Sequence, residues 1–257
     1  MENSLDSLNL PNYQENLTPK NKEENSGLNL YPAVEEIIEE NPPIKEAITE
    51  YKDKCDQYTI EHIFSTANKS AALAEHLNLD PKHKKLLIQS ALLHDIGKTE
   101  EKIRDLVVSP NKLSQDELEI IQGHVRKSIK HAQEISMPPE VLQIIGAHHE
   151  ENNGKSYPRK EERRKNASYS GEERRSGEER RVNPSEEIKK IIHLFSIIDR
   201  FDALYHQRSY KKALSPEESY EILKKQFKSE NDTEIINLLL ELENNKESLN
   251  KNNDKVA

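Results

Sequence analysis

The sequence lacks most of the features that would place a protein outside the cell or in a membrane. Cys55 is the single cysteine among 257 residues, which excludes a disulfide framework and a cysteine-based zinc site. No apolar run approaches the roughly 20 residues a transmembrane helix needs. The opening MENSLDSLNLPNYQENL has no basic start followed by an apolar core, so it does not read as a secretory signal. A reducing cytoplasm is the expected location. Positive charge is also scarce: 38 Lys and Arg face 47 Asp and Glu, a formal net charge of −9. That balance argues against a nucleic-acid polymer as the main partner. A phosphate-bearing ligand would have to be held by local positive groups such as metal ions. Only 33% of the residues are hydrophobic and another 33% are charged, so part of the chain is expected to be disordered or spread over solvated faces.

Strand-like alternation is missing too, and the expected class is all-α. Residues 1–30, rich in Asn, Glu, Ser and Pro, read as a disordered arm. Short N-terminal helices follow over 31–54, one carrying Val34, Ile37 and Ile38, the next Ile44, Ala47, Ile48 and Tyr51, with Pro42-Pro43 between them. The main domain is expected over 55–230. Its first helix runs from about Thr59 to Leu77. Asp80-Pro81 caps the next, which carries Leu86, Leu87 and Ala91 to Leu93 and is expected to end near Gly97. Ser114 and Glu117 form a capping-box signature for a helix carrying Leu118, Ile121, Val125 and Ile129. Further helices lead to His148-His149 and, through Phe195 and Ile198, to Asp199. Residues 159–183 differ in kind: EERR recurs at 161–164, 172–175 and 178–181. This reads as a solvated mixed-charge insertion, or as a lid or anion-binding arm. A C-terminal helix and polar tail fill 231–257.

The chemistry is carried by histidines and aspartates that would be wasted in an apolar core. His94-Asp95 directly follows an apolar run, and a buried Asp beside a buried His is costly unless a cation or donor compensates it. Asp199 repeats that setting after FSII. His148 and His149 are adjacent, so two ligands can meet one centre from one side. His62, His124 and, less clearly, His193 complete the candidates. Each alone is more simply a structural residue. Together they point to a metal site, and imidazoles with carboxylates suit iron, manganese, nickel, cobalt or zinc, with the carboxylates favouring harder ions.

HDIGK at 94–98 is the signature of the HD superfamily, and the wider pattern resembles its HD-GYP subfamily of cyclic di-GMP phosphodiesterases. The resemblance spans roughly residues 55–228: EHIFSTA around His62, HDIGK, QGHVRKS around His124, HHE at 148–150, IIDRFDAL around Asp199 and RSYKKALSPEES from Arg208. It implies an HD-domain helical bundle and two divalent metal ions, iron or manganese above all. His62, His94 and Asp199 would hold one, and His124, His148 and His149 the other. Asp95 would bridge them and a hydroxide-like water would attack phosphorus. Lys98 would stabilise the growing charge, and Gly154, Tyr157, Arg208 and Lys211 would contact the substrate. The expected partner is cyclic di-GMP or a related nucleotide, opened to linear pGpG and possibly GMP.

The family loop reads HHExxDGxGYP and this one HHEENNGKSYP, with Asn153 in place of Asp and Ser156 in place of Gly. His193 stands where the family usually has Arg, and Tyr58 stands where some members have a Glu for a third metal. A two-metal centre is therefore expected. Two alternatives remain: a phosphohydrolase for another nucleotide or cyclic dinucleotide, and a non-hydrolytic binding or scaffold protein. Among the other histidines, His131 shares a helix face with His124 and is the expected supporting residue for the ligands.

Overall fold

A computed structural model describes residues 30–149 except 110 and 112, then 183–205 and 214–253. Among these residues the structure is helical, with no strand. Helices α1 (Pro32–Glu40) and α2 (Pro42–Lys54) each begin with proline in the first turn, where the missing N–H is harmless. Each lays an apolar stripe on the core: Val34, Ile37 and Ile38, then Ile44, Ala47, Ile48 and Tyr51. Helix α3 (Gln57–His76) is capped by Asp56, whose carboxylate accepts from the Thr59 amide at 3.1 Å. Helix α4 (Pro81–Leu93) is capped by Asp80, which accepts from the Lys82 and His83 amides.

From Leu86 to Leu93 every residue of α4 is buried. A helix covered on all sides is a central one, so the chain leaving its C-terminus emerges inside the protein. That places His94 and Asp95 at the core. Helix α4 ends at Leu93, and Ile96–Thr99 form a 3-10 turn, so Gly97 is not the helix end expected from sequence. Gly97 is required for another reason. A Cβ there would lie 2.2 Å from the His124 carbonyl and 2.9 Å from the Ser128 amide nitrogen. The turn packs backbone to backbone on the start of the helix that carries His124, and the Gly97 amide donates to Ser128 Oγ at 3.0 Å.

Helix α5 (Glu101–Val107) was not anticipated. Seven residues are too few to display a periodic stripe. The single helix expected after Ser114 divides into α6 (Gln115–Gln122), which has the expected capping box, and α7 (His124–Glu134), broken at Gly123. Helix α8 (Pro139–Ala147) ends just before His148. Helix α9 (Glu186–Tyr205) is buried throughout Leu194–Asp199 and is the second central helix. It packs on α3, α4 and α8. Helices α10 (Pro216–Gln226) and α11 (Glu230–Asn253) close the bundle, α11 lying against α3, α9 and α10. Helix α11 continues through the expected polar tail as far as Asn253, since extending an anchored helix is far easier than starting one.

Candidate metal centre

Five separate segments deliver ligands to one point. His62 comes from α3, His94 and Asp95 from the end of α4, and His124 from the start of α7. His148 and His149 come from the end of α8, and Asp199 from the middle of α9. Two groups result, each with ligand atoms within 4.8 Å of one another: His62, His94 and Asp199, and His124, His148 and His149. All are buried except His149, which is partly exposed. In the first group, His62 Nε2 lies 3.1 Å and His94 Nε2 3.5 Å from Asp199 Oδ1. The two imidazole nitrogens are 3.4 Å apart.

Asp95 lies between the groups with one oxygen toward each. Its Oδ2 is 3.3 Å from His94 Nε2 and 3.8 Å from His62 Nε2, whereas its Oδ1 is 3.1 Å from His124 Nε2. Asp199 spans the groups more loosely, with Oδ2 3.9 Å from His149 Nδ1.

The rings are aimed by their other nitrogens. His94 Nδ1 donates to the Ala91 carbonyl at 2.8 Å, His124 Nδ1 to Ile121 at 2.7 Å and His148 Nδ1 to Ile145 at 2.5 Å. In each case the acceptor is three residues back at a helix end, where carbonyls lack their usual partners. His62 differs: its Nδ1 donates to Asp202 Oδ2 at 2.6 Å. With Nδ1 protonated, Nε2 keeps its lone pair and faces the centre, the arrangement of a metal-ligating histidine.

The electrostatics follow from this crowding. Burial alone would raise the Asp95 carboxyl, but Lys98 and His94 outweigh it and hold it well below the ordinary carboxylate range. Asp199 is likewise held well below that range against its burial, by His62, His94 and His149. Burial pushes His148 down to about 3 and lowers His149 strongly, so both are neutral and able to ligate at neutral pH. Burial would lower His62 too, but Asp199 and Asp202 outweigh it and raise its value. Lys98 Nζ lies 2.5 Å from Asp95 Oδ2 at the edge of the cluster.

The donor set fits divalent cations. Asp95 Oδ1 and His148 Nε2 are buried without a hydrogen-bond partner among the described residues, and such atoms are expensive unless an ion or water answers them. Imidazole and carboxylate without thiolate suit first-row divalent metals.

Other expected residues fall elsewhere. Gly154, Tyr157, Arg208 and Lys211, together with the EERR segment, lie outside the described residues. His193 belongs to neither group: its Nε2 pairs with Asp232 Oδ1 at 2.7 Å. His131, two turns beyond His124 on α7, takes no part in either group. Asp202 and Lys69 were missed. Each had a faint signal: Asp202 follows Asp199 by three residues and Lys69 follows His62 by seven, both on the same helix face.

Comparison with known proteins places this geometry in a family. The HD-domain family matches residues 59–204, which contain all seven clustered residues. A 3'3'-cGAMP-specific phosphodiesterase 1 of Vibrio cholerae is 31% identical over 122 residues, covering 48% of this chain and 28% of that protein. A second, 3'3'-cGAMP-specific phosphodiesterase 3, is 26% identical over 71% of this chain and 35% of its own length. A cyclic di-GMP phosphodiesterase of the same organism is 29% identical over 65% of this chain and 32% of its own length. The chain thus spans about a third of the length of these relatives. The crystal structure of the HD domain of the Listeria monocytogenes phosphodiesterase PgpH aligns over 76% of this chain and 94% of its own, at 18% identity and a TM-score of 0.47. The match across residues 59–204 covers more than half of the sequence, and the chain belongs to the HD-domain family.

Proposed function

We propose that the chain is a metal-dependent phosphodiesterase that opens cyclic di-GMP to linear pGpG, and onward to GMP. The observation that carries the reading is the position of Asp95, which turns one oxygen to each of two three-residue groups. In this reading His62, His94 and Asp199 would hold one divalent ion and His124, His148 and His149 the other, with Asp95 serving both groups. Such ions, iron or manganese for this donor set, polarise a phosphoryl oxygen and make a water molecule acidic enough to serve as nucleophile.

The protein's own groups supply the rest. The four rings His62, His94, His124 and His148 are locked by their Nδ1 bonds, so the ligand set needs little rearrangement when it binds. Lys98 carries its ammonium at the rim of the centre. On arrival of a phosphodiester it can turn from Asp95 to a non-bridging oxygen and stabilise the charge that grows there. Arg208 and Lys211 would take further phosphate oxygens, Arg as a fork and Lys as a point charge. Gly154 and Tyr157 belong to the loop that would contact a base.

The test combines two measurements on one sample of the full chain: metal content and anaerobic turnover of cyclic di-GMP. The expected outcome is two iron or manganese ions per chain and release of pGpG. A fully loaded protein that turns over no cyclic dinucleotide overturns the reading.

A second substrate, 3'3'-cGAMP, is favoured by a specific observation. Two of the relatives carry that name, and Asn153 and Ser156 alter the loop that the resemblance assigns to substrate contact. Side-by-side turnover of the two cyclic dinucleotides decides between them.

A further inference from the structure

Lys69 lies in the middle of α3 with only 1% of its surface exposed. A buried ammonium is tolerable when each of its three donors is answered. Here Nζ donates to Ser65 Oγ at 2.7 Å and to Asp202 Oδ1 at 2.8 Å, and pairs with Glu243 Oε1. Glu243 is itself buried, at 4% exposure. It sits on α11, beyond the residues 59–204 that match the family. Asp202 divides its two oxygens: Oδ1 faces Lys69, and Oδ2 accepts from His62 Nδ1. An unbroken line of polar contacts therefore runs from α11 through α3 and α9 to a nitrogen of the centre.

Stability alone is a poor account of this line. Buried ion clusters are often no better for the fold than apolar groups of the same size. Position is the better account. His94, His124 and His148 rest on backbone carbonyls of their own segments, whereas His62 rests on a side chain that could rotate. We propose that Glu243 and Lys69 are positioning residues. They fix the Asp202 carboxylate, which aims His62 and, through its negative charge, strengthens that imidazole as a ligand. Helix α11 thereby sets the affinity of one of the two ion positions. The inference rests on the two-ion reading above.

The test is a Mn(II) titration of the metal-stripped full chain, with the free ion followed by electron paramagnetic resonance. His62→Ala identifies which binding event belongs to the His62 group. Glu243→Gln removes the terminal charge with little change of shape. Lys69→Met/Glu243→Leu removes one charge of each sign, so the net charge beside Asp202 is unchanged while Asp202 Oδ1 loses the ammonium that holds it. In both variants the His62 event is expected to weaken by about tenfold, in the range seen when partners behind a metal-ligating histidine are lost, while the other event is unchanged. Two unchanged events overturn the proposal. So do two events that weaken together in step with a lowered Tm, which marks a purely structural role. A wild-type chain that binds no Mn(II) removes the two-ion reading itself, and the inference with it, a result separate from either of these.

Discussion

Helix α9 takes part in two histidine–carboxylate contacts of almost equal length, and they do different things. His193 on α9 meets Asp232 on α11 at 2.7 Å, and Asp202 on α9 meets His62 on α3 at 2.6 Å. The first pair is closed on itself. Asp232 also accepts from the Ser229 amide and donates its own amide to Ser229 Oγ, so it caps the start of α11. The His193 ring lies edge-on to Phe227, with centroids 5.6 Å apart. The second pair is open. The other nitrogen of His62 looks into a pocket shared with His94, Asp95 and Asp199. A histidine beside a carboxylate is therefore no marker of a reactive site. What marks one is a second ring nitrogen aimed at further ligands.

The comparison can be broken most severely at the open end. Asp95→Asn should abolish occupancy of at least one ion position and lower turnover on the order of a thousandfold, since metal ions contribute several kcal/mol to charge stabilisation. Metal content and kcat measured together check this. Lys98→Met should retain both ions but lower kcat by about a hundredfold with little change in KM, as expected for a group that acts on developing charge. Asp202→Asn should weaken metal binding at the His62 group by about 10- to 100-fold, read by Mn(II) titration.

The smallest effect belongs to the closed pair. His193→Ala should cost about 1.5–3 kcal/mol of stability, the range for a hydrogen bond to a charged group, and leave metal content and turnover unchanged. Denaturant unfolding gives the first and the activity assay the second. The pair also has a pH signature. Burial would raise the Asp232 carboxyl, but His193 and Ser229 outweigh it and hold it below the ordinary carboxylate range. The folded value is depressed, so the pair's contribution is present above the unfolded value and fades as pH falls through the lowered one. The wild-type stability advantage over His193→Ala should shrink over that acidic window.

The contrast between the pairs also explains what sequence could reveal. Periodic apolar stripes announced α1 to α4 and the course of α9, and side-chain chemistry announced the caps at Asp80 and Ser114. His94-Asp95, His148-His149 and Asp199 stand out because they follow apolar runs or adjoin another candidate ligand, where a polar side chain needs a reason, whereas His62 and His124 are matched to ligand positions by the resemblance. Lys69 and Glu243 gave no such warning. In sequence each is an ordinary charged residue of a helix, and their burial follows only once α3, α9 and α11 are packed together. At Gly97 the local pattern suggests a helix end, but the need for glycine arises from the approach of α7, which no local pattern encodes. Gly123 separates α6 from α7, although a glycine within an otherwise periodic stretch is often tolerated. His193 is, in sequence, one more histidine that a core would waste, and only the position of Asp232 on α11 shows its partner.

Three of the histidines at the centre take their orientation from a carbonyl three residues earlier in their own segment. Each of these segments is a self-contained tool holder, with the angle of the bit set before the rest of the machine is assembled. Such an arrangement lets these three ligands keep their direction independently of one another, because none of the three bonds crosses from one segment to the next.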